Sequence, residues 1–228
     1  MRIGILQTGQ SPDMLRAEMG DYPDMFATLL AGRGLEFRTY HVEAMEFPKD
    51  VHECEGWLIT GSRHGAYDDL PFIPPLEDFI RRVWAAHVPM IGVCFGHQII
   101  AQALGGKVEK FAGGWSVGAT EYALRDGSGS LRLNAWHQDQ VTVRPEGTTV
   151  LASSPFCENA ILAYGDRALT IQPHPEFTAA FIKGLIDTRG RGKVPDALLD
   201  AADAKIGVAT DNERLANQMA EFFRQPRG

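Results

Sequence analysis

The sequence has few cysteines and no segment suited to entering or crossing a membrane. Its three cysteines, Cys54, Cys94 and Cys157, are too few and too scattered among 228 residues for a disulfide framework. The first apolar stretch turns polar at Gln7, so it is too short for the apolar core of a signal peptide. No apolar run approaches the roughly 20 residues needed to span a bilayer. We therefore expect a cytoplasmic protein that does not bind membranes and whose thiols stay reduced.

Positive charge is also outnumbered by negative charge. The chain has 22 lysines and arginines against 29 aspartates and glutamates, which gives a formal net charge of −7. This balance disfavours nonspecific binding to nucleic acid, so no nucleic-acid partner is expected. Hydrophobic residues make up 44% of the chain, which is ordinary for a globular protein with a full core.

Metal-binding and phosphate-binding patterns are incomplete. Cys94-x-x-His97 and His174-x-Glu176 contain metal-ligand residue types, but zinc ribbons pair two such motifs and this chain does not. The glycines of segment 126–130 do not lie between a strand and a helix, so they do not predict a phosphate-binding loop. The sequence predicts neither a metal nor another cofactor.

The first hundred residues alternate between short apolar strands and amphipathic helices. This alternation predicts an α/β fold with a mostly parallel central sheet that helices cover on both faces. Pro23 is expected to split a helical region at 12–31 into two helices. The predicted strands are 2–6, 35–41, 56–60 and 88–93, and a further helix is predicted at 75–87.

The second half of the chain changes from alternation to short strands separated by turns. After a strand at 168–171 and a helix at 178–186, a flexible stretch containing Arg189 to Gly192 is expected. Two helices are predicted near 196–205 and 211–224, and Asp211 is a suitable N-cap for the second. We therefore divide the chain into a domain at 1–186 and a C-terminal helical extension at 187–228 that packs on it.

The most informative motif is Gly92-Val93-Cys94-Phe95-Gly96, between the apolar run of 88–93 and a helical pattern. Glycines two residues on either side of Cys94 permit the sharp strand-to-helix turn of a nucleophile elbow. Such a turn projects the cysteine at a helix N-terminus, where the helix field favours a thiolate. The alternative is a buried cysteine in an ordinary connection.

A cysteine nucleophile needs a base, and the base needs an orienting group. The segment Pro173-His174-Pro175-Glu176 offers both, because each proline forces extended backbone on the residue before it. Side chains two positions apart in extended chain face the same way, so His174 and Glu176 can align. An α/β-hydrolase places its acid before its histidine, and here the acid follows it.

Three further residues can complete such a site. Gln98 lies one helical turn after Cys94, so its amide can reach a polar substrate or else face solvent. The loop that begins at Gly61 can supply one backbone N–H, and Phe95 a second, to form an oxyanion hole. His97 is interpreted as a residue on the helix surface or facing a partner.

The elbow, the Gly61-Ser62 loop and the Pro-His-Pro-Glu segment together resemble the class I (triad) glutamine amidotransferases. Among these, the chain is most similar to stand-alone proteins related to the glutaminase domain of GMP synthetase, and the resemblance covers residues 1 to about 185. It implies a flavodoxin-like architecture, with Cys94 as nucleophile, His174 as general base and acid, and Glu176 as its orienter. It further implies that Gly61 and Phe95 supply oxyanion N–H groups, and that the substrate contacts are Gln98, Trp115 and Ser116.

The resemblance implies a glutaminase that hydrolyses the side-chain amide of glutamine through a γ-glutamyl thioester. His137 lies in a segment shared with the family and is interpreted as structural or as part of the pocket rim. The chain lacks the Ser-Gly-Gly-x-Asp-Ser pyrophosphate loop of a synthetase, so ammonia would pass to an acceptor or synthetase partner, or be released.

Two alternatives remain open. Arg63 and His64 stand where the biosynthetic enzymes have small residues, which favours a γ-glutamyl peptidase or hydrolase with the same triad. The other alternative is a non-catalytic regulatory module on the same fold, for which a damaged triad would be expected.

Overall fold

The apolar runs form the strands of a nine-stranded sheet and a separate two-stranded sheet. A computed structural model describes residues 1–227. Within them the strands are β1 (Arg2–Gln7), β2 (Glu36–His41), β3 (Gly56–Ile59), β4 (Met90–Val93), β5 (Lys107–Lys110), β6 (Ser116–Leu124), β7 (Ser130–His137), β8 (Asp139–Val143), β9 (Thr149–Ser153), β10 (Ile161–Tyr164) and β11 (Ala168–Ile171).

The large sheet has the order β2-β1-β3-β4-β11-β10-β9-β6-β7. The five strands from β2 to β11 are parallel to one another. The remaining four strands join in antiparallel pairs and extend the sheet beyond β11. Strands β5 and β8 form the small antiparallel sheet. The predicted α/β fold with helices around a parallel-containing sheet is confirmed.

Helices cover both faces of the large sheet. They are α1 (Asp13–Met19), α2 (Tyr22–Leu29), α3 (Ile73–Ala85), α4 (Phe95–Ala103), α5 (Ala179–Leu185), α6 (Asp196–Asp203) and α7 (Asn212–Arg224), with a 3-10 turn at Val42–Ala44 and a π-helical turn at Ile186–Gly190. Helices α3 and α4 bury Phe79 and Ile99 in one core cluster. Helices α2 and α7 bury Phe26 and Phe223 in a second cluster on the other face. In the described part of the chain, no helix combines the length and apolarity that crossing a membrane requires.

Local chemistry explains most helix boundaries. Gly20 and Asp21 separate α1 from α2, because the Asp21 and Asp24 side chains form a capping box at the start of α2. Pro23 lies in the first turn of α2, where a missing N–H costs nothing. Asp211 precedes α7, but its carboxylate accepts the backbone N–H of Arg132 at 2.7 Å and caps no N–H of the helix.

Part of the segment that was expected to be flexible has regular structure. Arg189 and Gly190 belong to a π-helical turn that continues α5, whereas Arg191 and Gly192 lie in the turn that follows. The glycines suggested flexibility, but a Cβ at Gly190 would lie 2.7 Å from Leu199 Cδ2, so this glycine permits close packing. Leu199 of α6 and Phe223 of α7 are buried in core clusters of the main fold. The division into a domain at 1–186 and an extension at 187–228 stays a prediction.

Candidate active site

Cys94 lies at a sharp turn between β4 and α4. Its backbone adopts φ 53° and ψ −103°, a conformation that residues with a side chain rarely adopt. The Cys94 N–H donates to the carbonyl of Ile171 at 2.8 Å, which ties the turn to the end of the adjacent strand β11. The turn therefore has the form of a nucleophile elbow, as the spacing of the glycines predicted.

The two glycines that flank Cys94 allow α4 to approach the sheet closely. A Cβ on Gly92 would lie 2.4 Å from the carbonyl oxygen of Gly96. A Cβ on Gly96 would lie 2.2 Å from the carbonyl oxygen of Ile59, at the end of β3. Because both contacts are with backbone atoms, which cannot rotate away, larger residues at either position would displace the helix that begins at Phe95.

His174 and Glu176 form a buried pair just beyond β11. The His174 Nδ1 lies 2.7 Å from Glu176 Oε1, and both side chains are almost fully buried. The His174 N–H donates to the Asn134 carbonyl at 2.8 Å. The ring of Phe177 stacks on the imidazole, with centroids 3.9 Å apart and planes 3° apart. Backbone and ring contacts therefore fix the orientation of the imidazole.

The neighbouring charges favour a protonated imidazole. Burial by itself would lower the pKa of His174, but the negative charges of Glu176 and Cys94 outweigh burial and raise it to about 10. Since Nδ1 faces Glu176, Nε2 is the ring nitrogen available to Cys94. This arrangement can hold a thiolate–imidazolium pair and transfer a proton from Nε2.

Two backbone N–H groups adjoin the cysteine. Phe95 is the first residue of α4, and its side chain packs in the core against Phe72. A Cβ at Gly61 would lie 3.6 Å from Cys94 Cβ and 3.0 Å from His174 Cε1, so this loop meets both side chains. Among residues 1–227, neither the Gly61 nor the Phe95 N–H has a protein acceptor. Both groups are free to donate to an oxyanion.

A cavity of about 420 Å³ opens over Cys94 and His174. It includes two of the residues that the family resemblance named for substrate binding, Gln98 and Trp115, whereas Ser116 is buried at the start of β6 outside the lining. The lining residues are Tyr22, Ser62, Arg63, His64, Gly65, Tyr67, Asp68, Cys94, Gln98, Lys110, Trp115, Trp136, His137, Gln138, Asp139, His174, Phe177, Leu185, Arg189, Lys193 and Val194.

The amide of Gln98 is already engaged within the protein. Its Nε2 donates to the Asp139 carbonyl at 3.0 Å and to Gln172 Oε1 at 3.1 Å. The side chain is almost fully buried, so it does not face solvent. This position favours a role in which Gln98 holds the Asp139 segment against α4. The side-chain oxygen of Gln98 is left for other contacts.

Two histidines beside the site are buried and neutral. His97 is fully buried and its Nδ1 lies 2.7 Å from Thr170 Oγ1, so its interpretation as a surface residue was wrong. Burial, followed by the charge of His137, lowers the pKa of His97 to about 3. Burial, followed by the charge of His174, lowers the pKa of His137 to about 3 as well. His137 lines the cavity, and neither residue competes with His174 for a proton.

Several residues of the cavity were missed by sequence reasoning. Tyr22 comes from α2, Arg189 from the π-helical turn and Lys193 from the turn that follows it, all far from the elbow in sequence. No local motif marks them, and only tertiary packing brings them together. His97 belongs to α4, in which every residue except Gln102 is buried, and no pattern in the sequence marks this burial. In the part of the chain described here, no three His, Cys, Asp or Glu side chains form a potential metal site.

Comparison with known proteins identifies the family. A model described as "Glutamine amidotransferase class-I" matches residues 21–181, which is more than half of the chain. The chain belongs to the class I glutamine amidotransferase family. This membership confirms the resemblance of the elbow and the Pro-His-Pro-Glu segment, and the chain is an enzyme of the amidotransferase and hydrolase classes.

Its relatives include both peptidases and synthetases. It is 34% identical to Gamma-glutamyl peptidase 4 of Arabidopsis thaliana, over 74% of this chain and 72% of that protein. It is 29% identical to a glutamine-hydrolyzing GMP synthase of Burkholderia mallei, over 81% of this chain but only 36% of that protein. Among solved structures, a glutamine amido transferase from Methylobacillus flagellatus superposes on this chain with a TM-score of 0.78. The superposition covers 100% of this chain and 96% of the other chain. At 22% identity, that likeness shows the fold alone.

Proposed function

We propose that the protein is a glutaminase that hydrolyses the side-chain amide of glutamine through a γ-glutamyl thioester on Cys94. The observation that carries this proposal is the buried His174, whose imidazole faces Glu176 on one side and Cys94 on the other. A cysteine beside a charged imidazole is the arrangement that activates a thiol for acyl transfer. The roles of Cys94, His174 and Glu176 are those predicted from the sequence.

The geometry supports a two-step reaction. The Cys94 thiolate attacks the carbonyl carbon of the amide, and the oxyanion accepts hydrogen bonds from the N–H groups of Gly61 and Phe95. As the carbon–nitrogen bond breaks, the nitrogen takes the proton from His174 Nε2 and leaves as ammonia. Water then attacks the thioester while His174 accepts its proton, and the carbon–sulfur bond breaks to release glutamate. Throughout both steps, Glu176 orients the ring and stabilises its charge.

A second substrate class, the γ-glutamyl peptides, has its own support. Arg63 and His64 stand at the cavity rim, and both interact with Glu43, at 3.5 and 2.9 Å. This rim carries polar groups beyond those that free glutamine needs. The Arabidopsis relatives are named as γ-glutamyl peptidases, and one of them is 34% identical. The same triad would then release an amine in place of ammonia.

For the glutaminase, the acceptor of ammonia would be another chain, such as a synthetase partner. For the peptidase, no acceptor is needed. A non-catalytic regulatory module is the third candidate, and the convergence of Cys94 and His174 at one cavity, with Glu176 paired to the imidazole, argues against it. Neither hydrolysis mechanism requires a metal.

The proposal is tested by assaying the purified protein against glutamine and γ-glutamyl dipeptides. We expect release of glutamate, and of ammonia or the second amino acid, and intact mass should detect a γ-glutamyl adduct on the protein. Cys94→Ala should abolish turnover and labelling by a glutamine-analogue electrophile. The matched control is Cys54→Ala, because Cys54 is buried in a core cluster away from the cavity. Turnover that survives Cys94→Ala would show that another nucleophile acts.

A further inference from the structure

One wall of the cavity comes from residues beyond the segment that matches the family. The family match ends at residue 181, but the segment that follows it contributes Leu185, Arg189, Lys193 and Val194 to the lining. These side chains form a wall on which substrate preference can vary while the reaction stays the same.

The π-helical turn at Ile186–Gly190 places this wall. A Cβ at Gly190 would lie 2.7 Å from Leu199 Cδ2 and 3.2 Å from Trp136 Cη2, so the turn packs tightly on both side chains. Trp136 itself lines the cavity. Single π-helical turns are frequent at functional sites, since they redirect a side chain within a helix. Here the turn carries Arg189, which lines the cavity.

Arg189 has no partner within the protein. It is half-buried, and among residues 1–227 it makes no hydrogen bond or ion pair. Arg189 lines the same cavity as Tyr22, and its charge opposes the rise that burial causes in the pKa of that phenol. The Tyr22 ring centroid is 6.1 Å from that of Phe177, which stacks on His174. Arg189 therefore belongs to the cavity that contains Cys94 and His174.

Arg191 shows what an ordinary arginine in this segment does. Its guanidinium pairs with Asp196 at 2.9 Å and with Asp200 at 2.7 Å, and it does not line the cavity. The contrast matters because a half-buried cation without a counter-ion is costly unless a ligand supplies one. Arg189 is thus suited to an anion that enters the cavity.

The cavity has more unpaired positive groups than a γ-glutamyl unit uses. That unit carries one carboxylate and one ammonium group, so one cation and the acidic lining residues suffice to bind it. The cationic lining residues are Arg63, Lys110, Arg189 and Lys193, and the acidic ones are Asp68 and Asp139. Of the cations, only Arg63 forms an ion pair within the described residues, with Glu43.

We propose that Arg189, assisted by Lys193, binds a carboxylate on the leaving group, so that the preferred substrates are γ-glutamyl amides of amino acids. This proposal rests on the proposed reaction at Cys94 and favours the second of the two substrate classes given above, the γ-glutamyl peptides, over free glutamine. The leaving amine then carries its own carboxylate, which the guanidinium can bind through two parallel hydrogen bonds. Free glutamine, whose leaving group is ammonia, would not use this subsite.

Binding is measured separately from catalysis by using the Cys94→Ala protein and calorimetry. The two ligands are γ-glutamylglycine and γ-glutamylglycinamide, which differ only in the terminal carboxylate. Adding Arg189→Gln should weaken binding of γ-glutamylglycine by about tenfold or more, the effect expected of one charge-assisted pair. Binding of γ-glutamylglycinamide should change by less than about twofold. Arg189→Lys should recover part of the loss, and Arg191→Gln should leave both affinities unchanged.

Four results would overturn this assignment. Equal weakening of both ligands by Arg189→Gln would place Arg189 on the α-carboxylate of the γ-glutamyl unit. No difference between the two ligands in the protein with Arg189 intact, or no binding of either, would exclude a leaving-group subsite. Turnover assays with Cys94 present test the reaction independently. If both ligands are hydrolysed equally well, the proposed reaction stands and the subsite does not.

Discussion

Replacing Gly96 by alanine tests whether the tight packing of α4 on β3 supports the candidate site. A Cβ at this position would lie 2.2 Å from the Ile59 carbonyl oxygen, 2.9 Å from its carbon and 3.0 Å from Ile59 Cβ. Ordinary contact begins at 3.4 Å, so the helix must move away from β3 by roughly 1 Å. The movement also strains the hydrogen bond from the Gly96 N–H to the Thr60 carbonyl, at 3.1 Å.

The magnitude follows from opposing effects. Overpacking costs about 1–3 kcal/mol, and weakening a backbone hydrogen bond costs about 1 kcal/mol. Alanine regains up to about 1 kcal/mol in a helix relative to glycine. We expect Gly96→Ala to lower the free energy of unfolding by about 2 kcal/mol, which lowers Tm by roughly 4–8 °C. Because Cys94 precedes the displaced helix, kcat should fall by about 100-fold.

Thermal and urea unfolding and the amidase assay check this prediction. The matched control is Gly207→Ala, since a Cβ at Gly207 meets nothing within 4 Å and its φ is not in the left-handed region. That variant should keep its activity and unfold at the wild-type temperature or slightly above it. If Gly96→Ala matches the control in both stability and activity, the close approach of α4 to β3 does not exist. A destabilised but fully active Gly96→Ala would show that the displacement does not reach the nucleophile.

Three further perturbations probe the His174 pair and the attachment of α7. Glu176→Gln removes a negative charge beside His174, so burial dominates and the pKa of His174 falls. In steady-state assays kcat should drop by about 10²–10⁴-fold. An unchanged kcat would contradict the orienting role of Glu176. Because the pKa of His174 is raised from 6.5 to about 10, its charged form stabilises the native state fully below pH 6.5, and this stabilisation is lost as the pH rises through about 10. The urea midpoint of the wild type should therefore fall between pH 6.5 and about 10, and that of Glu176→Gln should fall less. Equal falls in the two proteins would show that the charge of His174 is not linked to stability in this way. Asp211→Ala removes the acceptor of the Arg132 N–H and should cost about 1–2 kcal/mol by urea unfolding. Asp211→Asn, which retains an acceptor, should recover most of the loss, and equal losses in the two variants would argue against this hydrogen bond.

The parts of the fold that the sequence predicted depend on local backbone chemistry. The turn at Cys94 follows from glycines whose absent side chains make room for Gly96 and Ile59 backbone atoms, and such steric demands are visible in sequence. The alternation of strands and helices likewise indicated the parallel half of the sheet. The burial of His97 was missed because histidine and the adjacent Gln98 are polar, although α4 buries every residue except Gln102.

The parts that could not be predicted depend on contacts between distant segments. Strand β11 lies beside β4, and this adjacency brings His174 to Cys94 across about eighty residues. Residue chemistry suggested the pairing of these two side chains, but no local pattern predicts which strands are neighbours. The glycines near 190 predicted flexibility, but tertiary packing against Leu199 and Trp136 holds Gly190 in a regular turn. The inclusion of Tyr22 and Arg189 in the cavity has the same origin and no sequence signal.

The positive φ at Cys94, the proposed nucleophile, limits which residues can replace it during evolution. Serine has an unbranched Cβ like cysteine, so it can occupy this conformation and an oxygen nucleophile remains one substitution away. Threonine carries a second substituent on Cβ, which makes such a backbone conformation a genuine outlier. Within this fold, a serine enzyme can therefore evolve from the cysteine enzyme but a threonine enzyme cannot, whichever residue acts as the base.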